Sequence, residues 1–138
     1  IRCILITFFF YSPVNVASVN VNSLDIDGNS DPDALSDGLL ILRSLFGLTD
    51  DALIQNAVAT DANFSSAADI QSRINNLGEF LDIDGNSVVD PLSDGLLVLR
   101  YLFGIRGATL INGVVAQDAT RNTAAEIEEY LAKMVPVL

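Results

Sequence analysis

A thirteen-residue stretch occurs twice in this chain and limits what the rest can fold into. The first copy, Asp25 to Asp37, reads DIDGNSDPDALSD, and the second, Asp82 to Asp94, reads DIDGNSVVDPLSD. Oxygen-bearing side chains stand at positions 1, 3, 5, 9 and 13 of both, and an apolar run follows each. The two stretches head a longer duplication. Residues 24–76 align with residues 81–133 at a constant offset of 57, without gaps, and 28 of those 53 positions are identical by direct count. Identity is densest in the acidic stretch and the apolar run behind it. A match of this length is internal duplication. The organisation expected is an extended segment at 1–22, a first repeat at 23–79 and a second at 80–138.

Each repeat carries helix signals. Gly38–Phe46 and Gly95–Phe103 read as short buried helices, with Leu39, Leu42, Leu45 and Phe46 on one side and Leu40 widening the stripe. Ser36 and Ser93 are the candidate N-caps, and Gly47 and Gly104 the candidate C-cap glycines. After a variable connector a second helix begins at Ser66-Ala-Ala-Asp69 and at Thr123-Ala-Ala-Glu126. Both fit a capping box, the Glu126 copy better. Ile70, Ile74 and Leu77 form one apolar stripe; Ile127, Tyr130, Leu131 and Met134 form the other, and Pro136 ends it. Gly78 and Glu79 make the joint between repeats.

Ahead of the repeats, Ile1–Tyr11 reads IRCILITFFFY. It is shorter than the roughly 20 apolar residues of a transmembrane helix. Two readings stay open: a secretory signal with Val16-Ala17-Ser18 as the cleavage site, or a β-strand rich in β-branched and aromatic residues, which is the one favoured. Val14, Val16, Val19 and Val21 then alternate with asparagines, with a slip at Ala17-Ser18. The chain starts at Ile1 rather than Met, as expected of a fragment or a processed form. The fold class expected is mainly α: two tandem loop–helix–helix units preceded by an extended N-terminal β-strand segment.

The acidic stretches carry the chemistry. Hard oxygen donors at alternating positions suit a hard cation, of which Ca²⁺ is the usual one. In an EF-hand-type loop, side-chain oxygens come from positions 1, 3, 5 and 9, a backbone carbonyl from position 7, and a carboxylate closes the loop. Asp25, Asp27, Asn29 and Asp33 take positions 1, 3, 5 and 9, and Asp37 closes the loop at position 13; Asp82, Asp84, Asn86, Asp90 and Asp94 repeat the set. Position 7 is Asp31 in one copy and Val88 in the other, so a backbone carbonyl is the donor expected there. The closing aspartate also sits where a helix begins and meets the positive end of its dipole. Four carboxylates in one loop are costly without a cation, and the loops are expected to be disordered without one. About two Ca²⁺ ions per chain would offset about four of the negative charges. The alternative for such a stretch is a solvated acidic turn that caps a helix. Asp61 and Asp118 recur in the connectors, where they either ligate a further ion or satisfy turn hydrogen bonds, the commoner role. Arg43 and Arg100, matched within apolar helices, call for a helix-end or loop carboxylate as partner. Asn63-Phe-Ser65 fits a glycosylation sequon.

The Asp-x-Asp-x-Asn opening, the later aspartate and the Leu-Leu-x-Leu-Arg-x-Leu-Phe-Gly run resemble a dockerin-type Ca²⁺-binding repeat. Modules of that bacterial extracellular family use a calcium loop with only the exiting helix, in two copies. The resemblance covers residues 24–47 and 81–104. It implies calcium ligation by Asp25, Asp27, Asn29, Asp33 and Asp37 and by their partners in the second copy. The chain departs from the pattern in three ways. The loop is one residue longer than the EF-hand's. Gly28 and Gly85 stand at position 4, while Ser30 and Ser87 hold position 6, where an EF-hand has glycine. The copies are 57 residues apart, with an extra helix in each unit.

Composition excludes several functions. A net charge of −11 and a pI near 4.1 argue against nucleic acid or an anionic membrane surface as partner. There is no His, which removes imidazole catalysis and His-ligated zinc. Cys3, the single cysteine, reads as a small apolar residue. No nucleophile–base constellation is visible, so no enzyme is expected. The function expected is a calcium-stabilised structural or assembly protein, extracellular or at the cell surface of a bacterium or archaeon. An apolar strand without a partner seeks another chain, so self-association into a homo-oligomer or filament is the partnership expected. The alternative is a dockerin-like adaptor that docks a cohesin-like receptor domain of a larger complex.

Overall fold

The structure is a computed structural model that describes residues 23–136. Six α-helices and no strand lie among those residues: α1 (Leu39–Leu45), α2 (Asp50–Ile54), α3 (Ala67–Leu77), α4 (Leu96–Leu102), α5 (Ala108–Ile111) and α6 (Ala124–Ala132). The strand expected at 1–22 lies outside the described residues. Among those described, no helix is long and apolar enough to cross a membrane.

Each acidic stretch leads into its helix through a π turn, at Ala34–Gly38 and Pro91–Gly95. Its widened ring is closed by the Gly38 and Gly95 N–H groups, which donate to the carbonyls of Asp33 and Asp90, five residues back. The extra residue shifts the cap upstream. Asp33 and Asp90 hold extended backbone and accept from the N–H of Leu35 and Leu92, each at 2.6 Å. The expected caps, Ser36 and Ser93, are instead buried inside the turn. Pro91 takes the first position of its turn, where a missing N–H costs nothing. At the other end, Gly47 and Gly104 stop α1 and α4 as expected. Each donates to a carbonyl three residues back while the next residue reaches back five, to Arg43 and Arg100.

Helices α2 and α5 lie inside what reads as a variable connector. Four or five residues are too few to show a helical period, although each buries one leucine completely, Leu53 and Leu110. The remaining helices start where the sequence places them. Ser66 Oγ accepts from the Asp69 N–H at 3.1 Å, and Thr123 with Glu126 forms a full reciprocal capping box. Ile70, Ile74 and Leu77 of α3 are buried, as are Ile127 and Leu131 of α6 with Met134 beyond its end; Tyr130 is half-buried.

One apolar core gathers matched residues from both halves: Leu24 with Leu81, Ile26 with Ile83, Leu40 with Leu97, and Ile41 with Val98. Helices α1 and α4 also pack on each other. A Cβ on Gly38 would stand 3.0 Å from Leu99 Cδ1 and one on Gly95 2.8 Å from Leu42 Cδ1, so the start of each helix lies against the later part of the other. The pair is reciprocal, with an approximate twofold relation. Each helix thus has two packed faces, Leu40 and Ile41 toward the core and Leu42 and Leu45 toward the partner helix. This corrects the single stripe expected from sequence: Phe46 and Phe103, beyond the last turn, are 53% and 54% exposed. The N-terminal edge of the described chain is tied to its end, since the Leu24 N–H donates to the Met134 carbonyl at 2.8 Å.

Leu40→Ala is expected to cost about 2–5 kcal/mol, because its side chain is wholly enclosed. Phe46→Ala is expected to stay within about 0.5 kcal/mol as a surface change. Urea denaturation of the two variants checks the order, and equal losses would restore the single-stripe arrangement.

Candidate metal centre

The loop is folded by its own carboxylates. Asp25, at position 1, accepts from the N–H groups of Gly28 at 3.1 Å and Ser30 at 2.9 Å, turning the chain back on itself. That turn puts Gly28 at φ +75° and Ser30 at φ +72°. Position 4 needs glycine for a second reason: a Cβ on Gly28 would meet the Phe64 ring at 2.6 Å, and one on Gly85 would overlap the Thr120 hydroxyl. Serine at position 6 accepts the left-handed backbone at a modest cost.

The closing aspartate ties the end of the loop to its start. Asp37 Oδ1 accepts from the N–H groups of Ile26 at 2.6 Å and Asp27 at 3.0 Å, and its Oδ2 from Asp33 at 2.9 Å. Asp94 does the same with Ile83, Asp84 and Asp90, at 2.7, 3.2 and 2.8 Å. The carbonyl sides of the same peptides are held by an arginine. Arg73 donates from Nε to the Ile26 carbonyl at 2.6 Å and from Nη2 to the Asp25 carbonyl at 2.9 Å. Arg121 donates to Ile83 at 2.7 Å and Asp82 at 2.6 Å. Two consecutive peptide groups in each loop thus lie between a guanidinium on their oxygens and a carboxylate on their nitrogens. Each arginine is stacked on a ring, Arg73 on Phe64 at 4.1 Å and Arg121 on Tyr130 at 3.9 Å.

The connector completes the support. The Ala59 N–H donates to Asp27 Oδ2 at 3.1 Å, and the Ala116 N–H to Asp84 Oδ2 at 3.0 Å. Asn63 Nδ2 and Thr120 Oγ1 donate to the carbonyls of Gly28 and Gly85. Asp61 and Asp118 accept from the side-chain amides of Asn29 and Asn86, at 3.0 and 3.2 Å, which ties the connector to the loop across 32 positions in place of the local turn hydrogen bonds expected of them. Arg43 and Arg100 depart from expectation. Each donates to main-chain carbonyls at the end of the short helix beside it, Leu53 and Gln55 in one half and Thr109, Leu110 and Asn112 in the other, and not to a carboxylate. These carbonyls are left over where α2 and α5 end, and in each half a single guanidinium nitrogen, Nη1, reaches them all.

This folding brings three carboxylates together in each loop. Oxygens of Asp25, Asp27 and Asp37 lie within 4.8 Å of one another, and so do those of Asp82, Asp84 and Asp94. Each triad can hold a metal ion. The other predicted ligands sit around it. Asn29 and Asn86 turn their side-chain oxygens to the N–H groups of Asp31 and Val88 at position 7, both exposed. Asp33 and Asp90 are engaged as caps.

Asp27, Asp37, Asp84 and Asp94 have no solvent exposure, yet among the described residues their hydrogen-bond donors are backbone N–H groups and the Ser36 hydroxyl, with no arginine or lysine nitrogen. Burial pushes the Asp37 carboxyl up from 3.8 to about 6, with the nearby Asp27 charge adding to it and three backbone N–H groups opposing it. Asp94 is raised to about 6 for the same reasons, with Asp84 as the neighbouring charge. Asp27 is also raised, first by burial.

Arg73, Arg121, Phe64 and the N–H groups of Ala59 and Ala116 were not legible as site residues, whereas Asn63 and Thr120, which the sequence offers as support for a further ion at Asp61 and Asp118, instead hold the loop carbonyls of Gly28 and Gly85. The matched Val58-Ala59 and Val115-Ala116 and the matched Asp61 and Asp118 marked where the connector returns to the loop. No protein-family model, curated protein or solved structure matches the chain.

In the absence of metal, the raised values of Asp37 and Asp94 set the pH dependence. The folded chain keeps protons that the unfolded chain releases, so their contribution to stability is full below 3.8 and is lost as pH rises through about 6. The melting temperature of the chelated protein is expected to fall between about pH 4.5 and pH 7. A chelated protein at least as stable at the higher pH would show that both closing aspartates ionise in the ordinary range.

Proposed function

We propose that the chain is a non-enzymatic, calcium-stabilised structural module of the extracellular space, built as two tandem loop–helix–helix units that each take one Ca²⁺. The observation that carries this is the pair of carboxylate triads 57 residues apart, with every member buried except the partly exposed Asp82, each with more negative charge than its surroundings neutralise. The donors are oxygen only, which suits Ca²⁺ over a thiophilic or imidazole-preferring metal. Asp25, Asp27 and Asp37 would hold one ion, and Asp82, Asp84 and Asp94 the other, with Asn29 and Asn86 beside them. An ion there joins the start of the loop to the start of α1 or α4, so metal binding and helix formation become one event. The dockerin-type resemblance of residues 24–47 and 81–104 supports the same reading. Affinities of order 10⁻⁴–10⁻³ M suit extracellular calcium.

In this reading the chain assembles with itself. Residues 1–22 pair with a neighbouring subunit by strand addition, head to tail, into a filament. The support is the apolar, period-two patterning of that segment. A second reading, an adaptor docking a receptor domain, is favoured by a specific observation. Leu35, Leu92, Phe46 and Phe103 are exposed apolar side chains at matched positions of the two loop–helix elements.

Titrating the chelated protein with Ca²⁺ is expected to raise helicity and melting temperature, by about 2.7 kcal/mol of stability for each site at 100-fold excess over its Kd. Asp37→Asn together with Asp94→Asn is expected to abolish that gain, and also to lower the stability of the metal-free protein, because asparagine keeps one acceptor oxygen where each aspartate accepts N–H groups on both. Absence of any calcium effect on either observable would refute a structural metal. Removing residues 1–22 is expected to leave a folded monomer where the full chain is larger by light scattering. An unchanged assembly after truncation would end the filament reading, and a monomer both ways would leave the adaptor reading in its place.

A further inference from the structure

The duplication gives two arginines one task from two different places. Arg73 stands on α3, and Arg121 lies in the connector ahead of α6. The offset of 57 pairs neither with the other: position 73 aligns with Tyr130, and position 121 aligns with Phe64. In the first half the helix supplies the arginine and the connector the ring; in the second half the connector supplies the arginine and the helix the ring. Both guanidinium groups nevertheless reach the same two loop carbonyls through the same two nitrogens, Nε and Nη2.

We propose that each arginine–aromatic pair is a positioning clamp for its metal loop, holding the backbone of loop positions 1 and 2 so that the carboxylates converge on the cation, and that the clamp works with either element supplying the arginine. This rests on the calcium reading above. The guanidinium is a rigid fork whose two donors fit two successive carbonyls, and the ring beneath it fixes its plane. The N–H groups of Ile26 and Asp27 are held by Asp37, itself one of the triad. Arginine and closing aspartate therefore grip the same two peptides from opposite sides. Releasing the arginine side loosens positions 1 and 3, which carry Asp25 and Asp27, and misplaces two of three carboxylates. No charge match to the cation is involved; the arginine acts through geometry alone.

The test is an exchange of the pair in the full chain, read by calorimetric Ca²⁺ titration after chelation and by the melting temperature of the chelated form. Arg73→Tyr is expected to weaken one of the two calcium-binding steps by about 10–100-fold. Arg73→Lys, which keeps the charge and loses the fork, is expected to weaken it also. Adding Phe64→Arg to Arg73→Tyr rebuilds the arrangement of the second half and is expected to restore most of the loss, as a coupled pair does. Should Arg73→Tyr not fold, Arg121→Phe with Tyr130→Arg makes the same comparison in the second loop. A double variant no better than the single overturns the exchange. Wild-type affinity in Arg73→Lys, or a lowered melting temperature with calcium affinity intact, overturns the positioning role. If the unmodified protein takes up no Ca²⁺, the calcium reading fails by itself. The exchange is then judged on the chelated protein: recovered melting temperature in the double variant supports the interchangeable pair, and no recovery overturns it.

Discussion

Two consecutive peptide groups in each acidic loop are held between opposite charges, a guanidinium on their oxygens and the closing aspartate on their nitrogens. Most of the structure hangs on this arrangement. It draws position 13 of the loop back to positions 1 to 3 and so sets where the π turn and helix begin. It also brings α3 in one half, and the connector ahead of α6 in the other, against the loop. The aspartate is buried to reach those N–H groups, and burial is what raises its pKa. One contact therefore closes the loop, starts the helix and leaves a carboxylate facing two others.

The two halves solve the same packing problem with different residues in the supporting layer. The loop and the helix that leaves it are nearly identical, because their backbone turns, buried leucines and close glycine contacts leave little freedom. Behind them, residues have to provide a donor, a ring or a hydroxyl at a point in space, and any element that reaches the point will serve. Thr120 stands in for Asn63, and Arg121 with Tyr130 for Phe64 with Arg73. Geometry is preserved where identity is not.

The sequence alone showed a good part of this. The thirteen-residue stretches marked the loops, spacing named six ligand positions in each, of which the structure gathers the carboxylates of three, and the glycines and capping residues placed the ends of four helices. Phe46 shows where pattern reading fails: its spacing puts it on the apolar side, but α1 ends one residue before it and the C-cap bend carries it outward. Helices α2 and α5 were missed because four or five residues carry no detectable period. Ser36 and Ser93 were misread as caps because a π turn inserts a residue that no local signal announces.

What the sequence determined by itself is local: which oxygens stand at which loop positions, where glycine permits a left-handed turn, and which faces are apolar. Such features depend on residues within about one turn of each other and are written in spacing. Tertiary structure alone decided that α1 and α4 pack reciprocally through Gly38 and Gly95, that Arg43 and Arg100 satisfy helix-end carbonyls, and that Arg73 and Arg121 share one task. Those partners are separated by ten to sixty positions or exchanged between repeats, and a hydrogen bond depends on where atoms meet in space and not on their order along the chain.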